Sequence, residues 1–163
     1  LKSRGFRSNG FSLLRKIMLE QFGDDWHTAK YNETTTWGEA LLTPSRIFSP
    51  VICQLLDSGF HLKGIAHITG SGIRGNLERI LKVNGFGAIL DNLFEPLEVM
   101  QKIQELGNIS LETAYKYWNM GNGMLIVVDK PEVEAIRQKI EDAGYEAKAA
   151  GEVVSEQTIR IKT

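Results

Sequence analysis

Three short segments carry residues whose types and spacing suit phosphate chemistry. The first is Ser8-Asn9-Gly10, which leads into an apolar helical pattern from Phe11. N–H groups at a helix start are free of helical partners, lie at the positive end of the dipole and bind anions. Lys2, Arg4, Arg7, Arg15 and Lys16 all precede the first acid, Glu20. Basic groups without a counter-charge suit a phosphate; the same residues also read as a helix N-cap beside solvated cations. The second segment is His67-Ile68-Thr69-Gly70-Ser71-Gly72, a strand that ends in a glycine-rich turn before a helix. Glycines let backbone N–H groups approach an oxyanion, and the Thr69 and Ser71 hydroxyls can add bonds. This is neither a Walker loop nor a full GxGxxG. His67 shares a strand face with Thr69, so it can point toward a ligand held there. Its ordinary pKa suits proton transfer near neutrality, although a histidine on a strand also serves in packing. The third segment is Asn119-Met120-Gly121-Asn122-Gly123. Its glycines and asparagines allow left-handed backbone and close ligand approach, or simply a helix cap and turn.

Other candidates are weaker. Cys53 sits among Ile52, Leu55 and Leu56 and reads as packing. Tyr117 and Trp118 read as core rather than as a base-stacking platform. His27 and His61 have no local partners. Asp24, Asp25, Asp91 and Glu95 are scattered loop acids that suit solvent as well as magnesium, and no residue is assigned as a metal ligand. Composition narrows the classes. The chain has 163 residues, 42% hydrophobic and 24% charged, which fits one folded domain rather than disorder. Its net charge of -1 argues against a general nucleic-acid binder. No apolar run is long enough to span a membrane, and no signal-peptide core opens the chain. A single cysteine forms no internal disulfide, so a reducing, cytoplasmic setting is expected. The chain starts at Leu1 and enters a motif-like stretch at once, which reads as a cut from a longer polypeptide.

The elements that must position these segments follow from periodicity. Residues 1–12 read as a loop and Phe11 to Phe22 as a helix. Residues 23–43 read as a long polar loop. Ser45 to Leu56 reads as a helix that Pro50 bends, stopped at Gly59. Strands are expected at Leu62–Thr69, Gly87–Leu90, Met124–Val128, Gly151–Val154 and Thr158–Ile161. The continuous apolar run at Met124 suggests a central strand covered on both faces. Helices are expected at Arg74–Leu81, Leu97–Leu106, Ser110–Trp118 and from Pro131 to Gly144. Alternating strands and helices predict one α/β or α+β domain, a mixed sheet with flanking helices.

Together, and in this order, the segments resemble a known family. Ser3-Arg4-Gly5-Phe6-Arg7-Ser8-Asn9-Gly10-Phe11-Ser12-Leu13 is similar to an SSGxHSNGYSL segment. Leu41-Leu42-Thr43-Pro44-Ser45-Arg46-Ile47-Phe48 is similar to LLxPTRIY, Gly64 to Gly72 to GMAHITGGG, and Asn119 to Met124 to NMGxGM. These motifs belong to the C-terminal domain of phosphoribosylformylglycinamidine cyclo-ligases, also called aminoimidazole ribonucleotide synthetases. The resemblance spans nearly the whole chain. It implies a partly ferredoxin-like α/β domain, residues 1–163 forming a single C-terminal domain, with the N-terminal ATP-binding domain absent from this chain.

It also implies a ligase of purine biosynthesis. ATP and Mg2+ serve ring closure of formylglycinamidine ribonucleotide to aminoimidazole ribonucleotide, in a homodimeric cytoplasmic enzyme whose isolated fragment is expected to be inactive. No nucleic-acid or membrane partner is implied. His67 would carry a proton or donate to a phosphoryl oxygen. Arg7, Ser8, Asn9, Gly10, Thr69, Gly70, Ser71, Gly72, Asn119 and Gly121 would bind substrate or phosphate. Arg46 would bind phosphate or pair with an acid. Arg7 stands where the family has a histidine, and arginine cannot act as a base near neutrality. Arg4 replaces a small residue, Ser71 replaces the middle glycine, and Tyr117-Trp118 replace Thr-Phe. Alternatives are a diverged member of the same superfamily, of the formylglycinamidine ribonucleotide synthetase or selenophosphate synthetase type, and a non-catalytic phosphate-binding domain.

Overall fold

A computed structural model describes residues 1–162. Helix α1 (Phe11–Phe22) buries Leu14, Ile17 and Met18, one stripe at helical spacing. The stretch expected to be a long loop is more ordered. It holds a 3-10 turn at Trp26–Thr28 and a short helix α2 (Trp37–Leu41). A capping box explains α2: the Thr36 side chain accepts from the Glu39 N–H, and Glu39 accepts from the Thr36 N–H. Helix α3 (Ser49–Asp57) starts later than expected. Pro50 lies in its first turn, where its missing N–H costs nothing, and opens the helix rather than bending it. Val51 and Leu55 face inward, so Cys53 is turned outward and is exposed, against the packing role expected of it.

Strand β1 (Gly64–His67) leads through the glycine turn into α4 (Gly72–Leu81). Then come β2 (Gly87–Leu90), α5 (Glu98–Leu106), α6 (Leu111–Tyr117) and β3 (Met124–Val127). The Ser110 hydroxyl caps α6 by accepting from the Thr113 N–H. Helix α7 (Val133–Asp142) and strands β4 (Gly151–Val154) and β5 (Ile159–Ile161) complete the chain.

The mixed α/β class holds, and the strands divide into two sheets. β1 pairs antiparallel with β3, with His67 opposite Met124. The other sheet is mixed, in the order β4-β2-β5: β2 is antiparallel to β4 and parallel to β5. β3 is therefore not central, since β1 is its single strand neighbour among the described residues. Its continuous apolar run has another cause. Met124 and Ile126 face a core built with Phe48, Val51, Leu55, Ile136 and Ile140. Leu125 and Val127 face the main core around Trp118, Met18, Ile73 and Ile103. Both faces are thus covered without further strands. Trp118 is fully buried as expected of core, whereas Tyr117 is 39% exposed. Among the described residues no helix is long and apolar enough to cross a membrane.

Candidate functional site

The three segments singled out by their chemistry meet in space. The Arg7 guanidinium donates to the carbonyl of Ile68, between His67 and Thr69, at 3.3 Å. Asn119 donates from Nδ2 to the Gly5 carbonyl at 2.9 Å and accepts from the Gly121 N–H at 3.0 Å. Ile68 N–H donates to the Gly123 carbonyl, and Ser3 N–H to that of Gly121. The 3–10 loop is therefore clamped between the strand exit and the Asn119–Gly123 turn.

Each predicted residue takes a distinct place in this junction. Gly10, not Ser8 or Asn9, caps α1, with left-handed φ 73° and no side-chain cap. A Cβ on Gly10 would fall 2.5 Å from the Trp118 ring, and the Gly10 carbonyl accepts from the Trp118 indole at 3.3 Å. Ser8 is exposed and Asn9 half-buried, its side chain beside Gly70. Arg7 itself has φ 65°, so the backbone holds a left-handed bend at a non-glycine position. Arg7 and Ser8 line an open groove of about 450 Å³ with Phe11 and the Leu41–Ser45 segment. The second and first resemblance motifs thus share one groove.

Within the glycine turn, Gly70 is exposed and Gly72 is buried. Gly72 has φ 61°, and a Cβ there would lie 1.9 Å from the Tyr115 carbonyl oxygen. It permits α4 to pack against α6. Ser71 has φ −94°, so it sits without backbone strain where the family motif has glycine. Its hydroxyl accepts from Arg79 at 2.8 Å. Asn76 was missed from the sequence. It is only 6% exposed and bonds the turn three times, to Gly72 O, Thr69 O and the Thr69 hydroxyl. The available signal was a polar side chain on the inner face of α4, between Ile73 and Leu77.

His67 is exposed, with its ring edge-on to Phe48 at 6.1 Å between centroids. Its pKa lies below the ordinary histidine value, first through desolvation and second through the Arg7 charge. It is thus held in the neutral form, with one ring nitrogen able to accept a proton. Burial likewise lowers the pKa of Arg7. Arg46 does not pair with an acid. It stacks on the Tyr145 ring at 4.5 Å and donates to the Gly144 carbonyl. Among the described residues, Arg4, Arg7, Arg46, Arg74 and Arg79 all lack a carboxylate partner. No group of three or more His, Cys, Asp or Glu side chains among the described residues is placed to hold a metal ion. Arg7 and Arg79 thus bring two cations without carboxylate partners to the junction, with a neutral imidazole at its edge and an open groove beside it. Such an arrangement can hold an anion and move a proton.

Residues 1–163 match the family described as AIR synthase related protein, C-terminal domain. The chain belongs to this family. Similar proteins include the phosphoribosylformylglycinamidine cyclo-ligase of Pseudothermotoga lettingae, 38% identical over 94% of this chain and 44% of the relative. That of Caldanaerobacter subterraneus subsp. tengcongensis is 36% identical over 94% of this chain and 45% of its own. That of Gloeobacter violaceus is 34% identical over 99% and 47%. The chain spans less than half the length of these relatives.

Proposed function

We propose that this chain is the C-terminal domain, residues 1–163, of a phosphoribosylformylglycinamidine cyclo-ligase. The reaction is ATP-dependent ring closure of formylglycinamidine ribonucleotide to aminoimidazole ribonucleotide. The observation that carries this reading is the junction of the Arg7 loop, the His67–Gly72 turn and the Asn119–Gly123 turn beside one groove. The relatives' names supply the reaction.

An amide oxygen is a poor leaving group, and phosphoryl transfer from ATP turns it into a good one. The neighbouring nitrogen then attacks the activated carbon, and phosphate departs with the oxygen. The residues here would serve positioning and charge. Arg7 holds a phosphoryl oxygen. The Gly70 and Ser71 N–H groups of the turn face the same anion, the Gly72 N–H being committed to the Thr69 carbonyl. His67, neutral at working pH, takes the proton lost from the attacking nitrogen. Asn119 and Gly121 shape the loop that carries Arg7. As the resemblance implies, Mg2+ and most of the ATP contacts would come from an N-terminal domain. The active enzyme is a cytoplasmic homodimer, and this domain alone does not turn over.

The deciding experiment is ATP-dependent formation of aminoimidazole ribonucleotide by the whole protein, beside His67→Ala. Turnover that collapses in the variant supports the assignment. A folded, ATP-binding parent that makes no product moves it to another member of the superfamily, a reading that Arg7 in the histidine position favours.

A further inference from the structure

The glycine turn carries a hydroxyl whose hydrogen is already committed. Asn76 fixes this. Its Nδ2 lies 2.7 Å from the Gly72 carbonyl oxygen and 3.4 Å from that of Thr69. Flipping the amide would set Oδ1 against a carbonyl oxygen at bonding distance, so Nδ2 must face both carbonyls. Oδ1 is then left facing the Thr69 hydroxyl at 3.1 Å, and two acceptors cannot bond each other without a proton between them. Thr69 must donate inward. Turning its O–H toward a ligand would strand the oxygen of a side chain that is 6% exposed.

We propose that Thr69 is a specificity-determining acceptor: it recognises an uncharged hydrogen-bond donor of the ligand, an N–H or O–H, and contributes nothing to holding the anion. Asn76 is the positioning residue that enforces this polarity. The inference rests on the functional reading above for the identity of the ligand, and revises it at one residue. Thr69 was expected to donate to an oxyanion, and its proton is not available for that. Arg7, which reaches the neighbouring Ile68 carbonyl, and the free N–H groups of the turn hold the anion instead. The strand exit is therefore divided. Two residues before the turn proper, His67 offers a ring with one donor and one acceptor nitrogen; at Thr69 only an oxygen lone pair is offered, which does not suit a phosphate oxygen. Formylglycinamidine ribonucleotide presents both kinds of donor, N–H groups on the formylglycinamidine part and O–H groups on the ribose.

The test uses three probes on the full protein by calorimetry: inorganic phosphate, ribose 5-phosphate and formylglycinamidine ribonucleotide. Thr69→Val keeps the shape and removes the whole hydroxyl, both the lone pair offered to the ligand and the proton given to Asn76; Thr69→Ser restores both, and thermal melts of the two variants check that the turn stays folded. Thr69→Val is expected to leave the phosphate dissociation constant unchanged and to weaken ribonucleotide binding about 5-fold, the effect of one neutral hydrogen bond. Thr69→Ser should regain most of that loss. Ribose 5-phosphate places the donor: a loss shared with it puts the donor on the ribose, and no loss puts it on the formylglycinamidine part. Weaker phosphate binding in Thr69→Val, or unchanged ribonucleotide binding, overturns the proposal. If the unmodified protein binds phosphate and rejects the ribonucleotide, the functional reading fails. The phosphate titration of Thr69→Val then still decides whether Thr69 donates to anions.

Discussion

Arg7 and Ile68 are joined by a hydrogen bond of 3.3 Å from guanidinium to carbonyl oxygen, across 61 residues of sequence. The bond sets a permanent positive charge beside His67. The imidazole feels that charge as the second cause of its lowered pKa, after desolvation.

The first prediction concerns titration. His67 should titrate below 6.5, its ordinary value. Arg7→Gln should raise its pKa only part of the way back, because desolvation remains. The unfolded chain takes up the proton first as pH falls. His67 therefore contributes a loss of stability that begins near the ordinary value and is complete below the lowered one. NMR of the imidazole in both proteins measures the shift. A pKa that falls or stays fixed in Arg7→Gln would contradict the assigned cause.

Asn119 is a second point of test. It is 3% exposed and serves Gly5, Phe6 and Gly121 backbone groups. Asn119→Ala would leave the Phe6 carbonyl and the Gly121 N–H buried without partners, while the Gly5 carbonyl keeps its bond from the Ser3 hydroxyl, and a loss of about 2–4 kcal/mol is expected. Urea unfolding followed by tryptophan fluorescence measures it. A loss under about 1 kcal/mol would mean that water replaces the side chain.

Gly70 and Gly72 separate two uses of glycine. Gly72→Ala meets both a left-handed φ of 61° and the Tyr115 carbonyl at 1.9 Å, so soluble folded protein should fall sharply. At Gly70 the nearest atom is the end of the Asn9 side chain at 3.3 Å, and Gly70→Ala should melt close to the parent. Ser71→Gly should also change stability by no more than about 1 kcal/mol, since Ser71 carries no strain. Parallel thermal melts compare the three, and equal losses at Gly70 and Gly72 would refute the distinction.

Cys53 is exposed on α3. In the folded protein it should react with a thiol reagent at close to the rate of the urea-unfolded chain, with one equivalent consumed. Slow, unfolding-limited labelling would return it to the core.

What was legible from sequence was the part governed by local rules. Gly and Pro punctuation, helical stripes such as Leu14-Ile17-Met18, and the Ser110 cap all placed elements within a few residues. Thr36 and Glu39 carry the signal for α2 as well, but a polar stretch with few apolar neighbours also reads as loop. Pro50 reads from sequence as a bend in a helix from Ser45, whereas it lies in the first turn of a helix that begins at Ser49. β3 misled in a different way: two separate cores and one central sheet position leave the same apolar run. At the site, the identity of the segments was readable and their convergence was not. Asn76 lies four residues beyond the Gly64–Gly72 motif, and its part in the turn depends on the closing of α4 back onto Thr69.

Because alternate side chains of β3 belong to different cores, the strand works as a tally that both must agree on. A slip of one residue against β1 would carry Leu125 and Val127 into the α3–α7 core and Met124 and Ile126 into the other. Neither core can accept a wrong register without the other failing too. The four-residue pairing that sets His67 opposite Met124 is thus proof-read from both sides, and the imidazole inherits its position from packing that lies beneath it rather than around it.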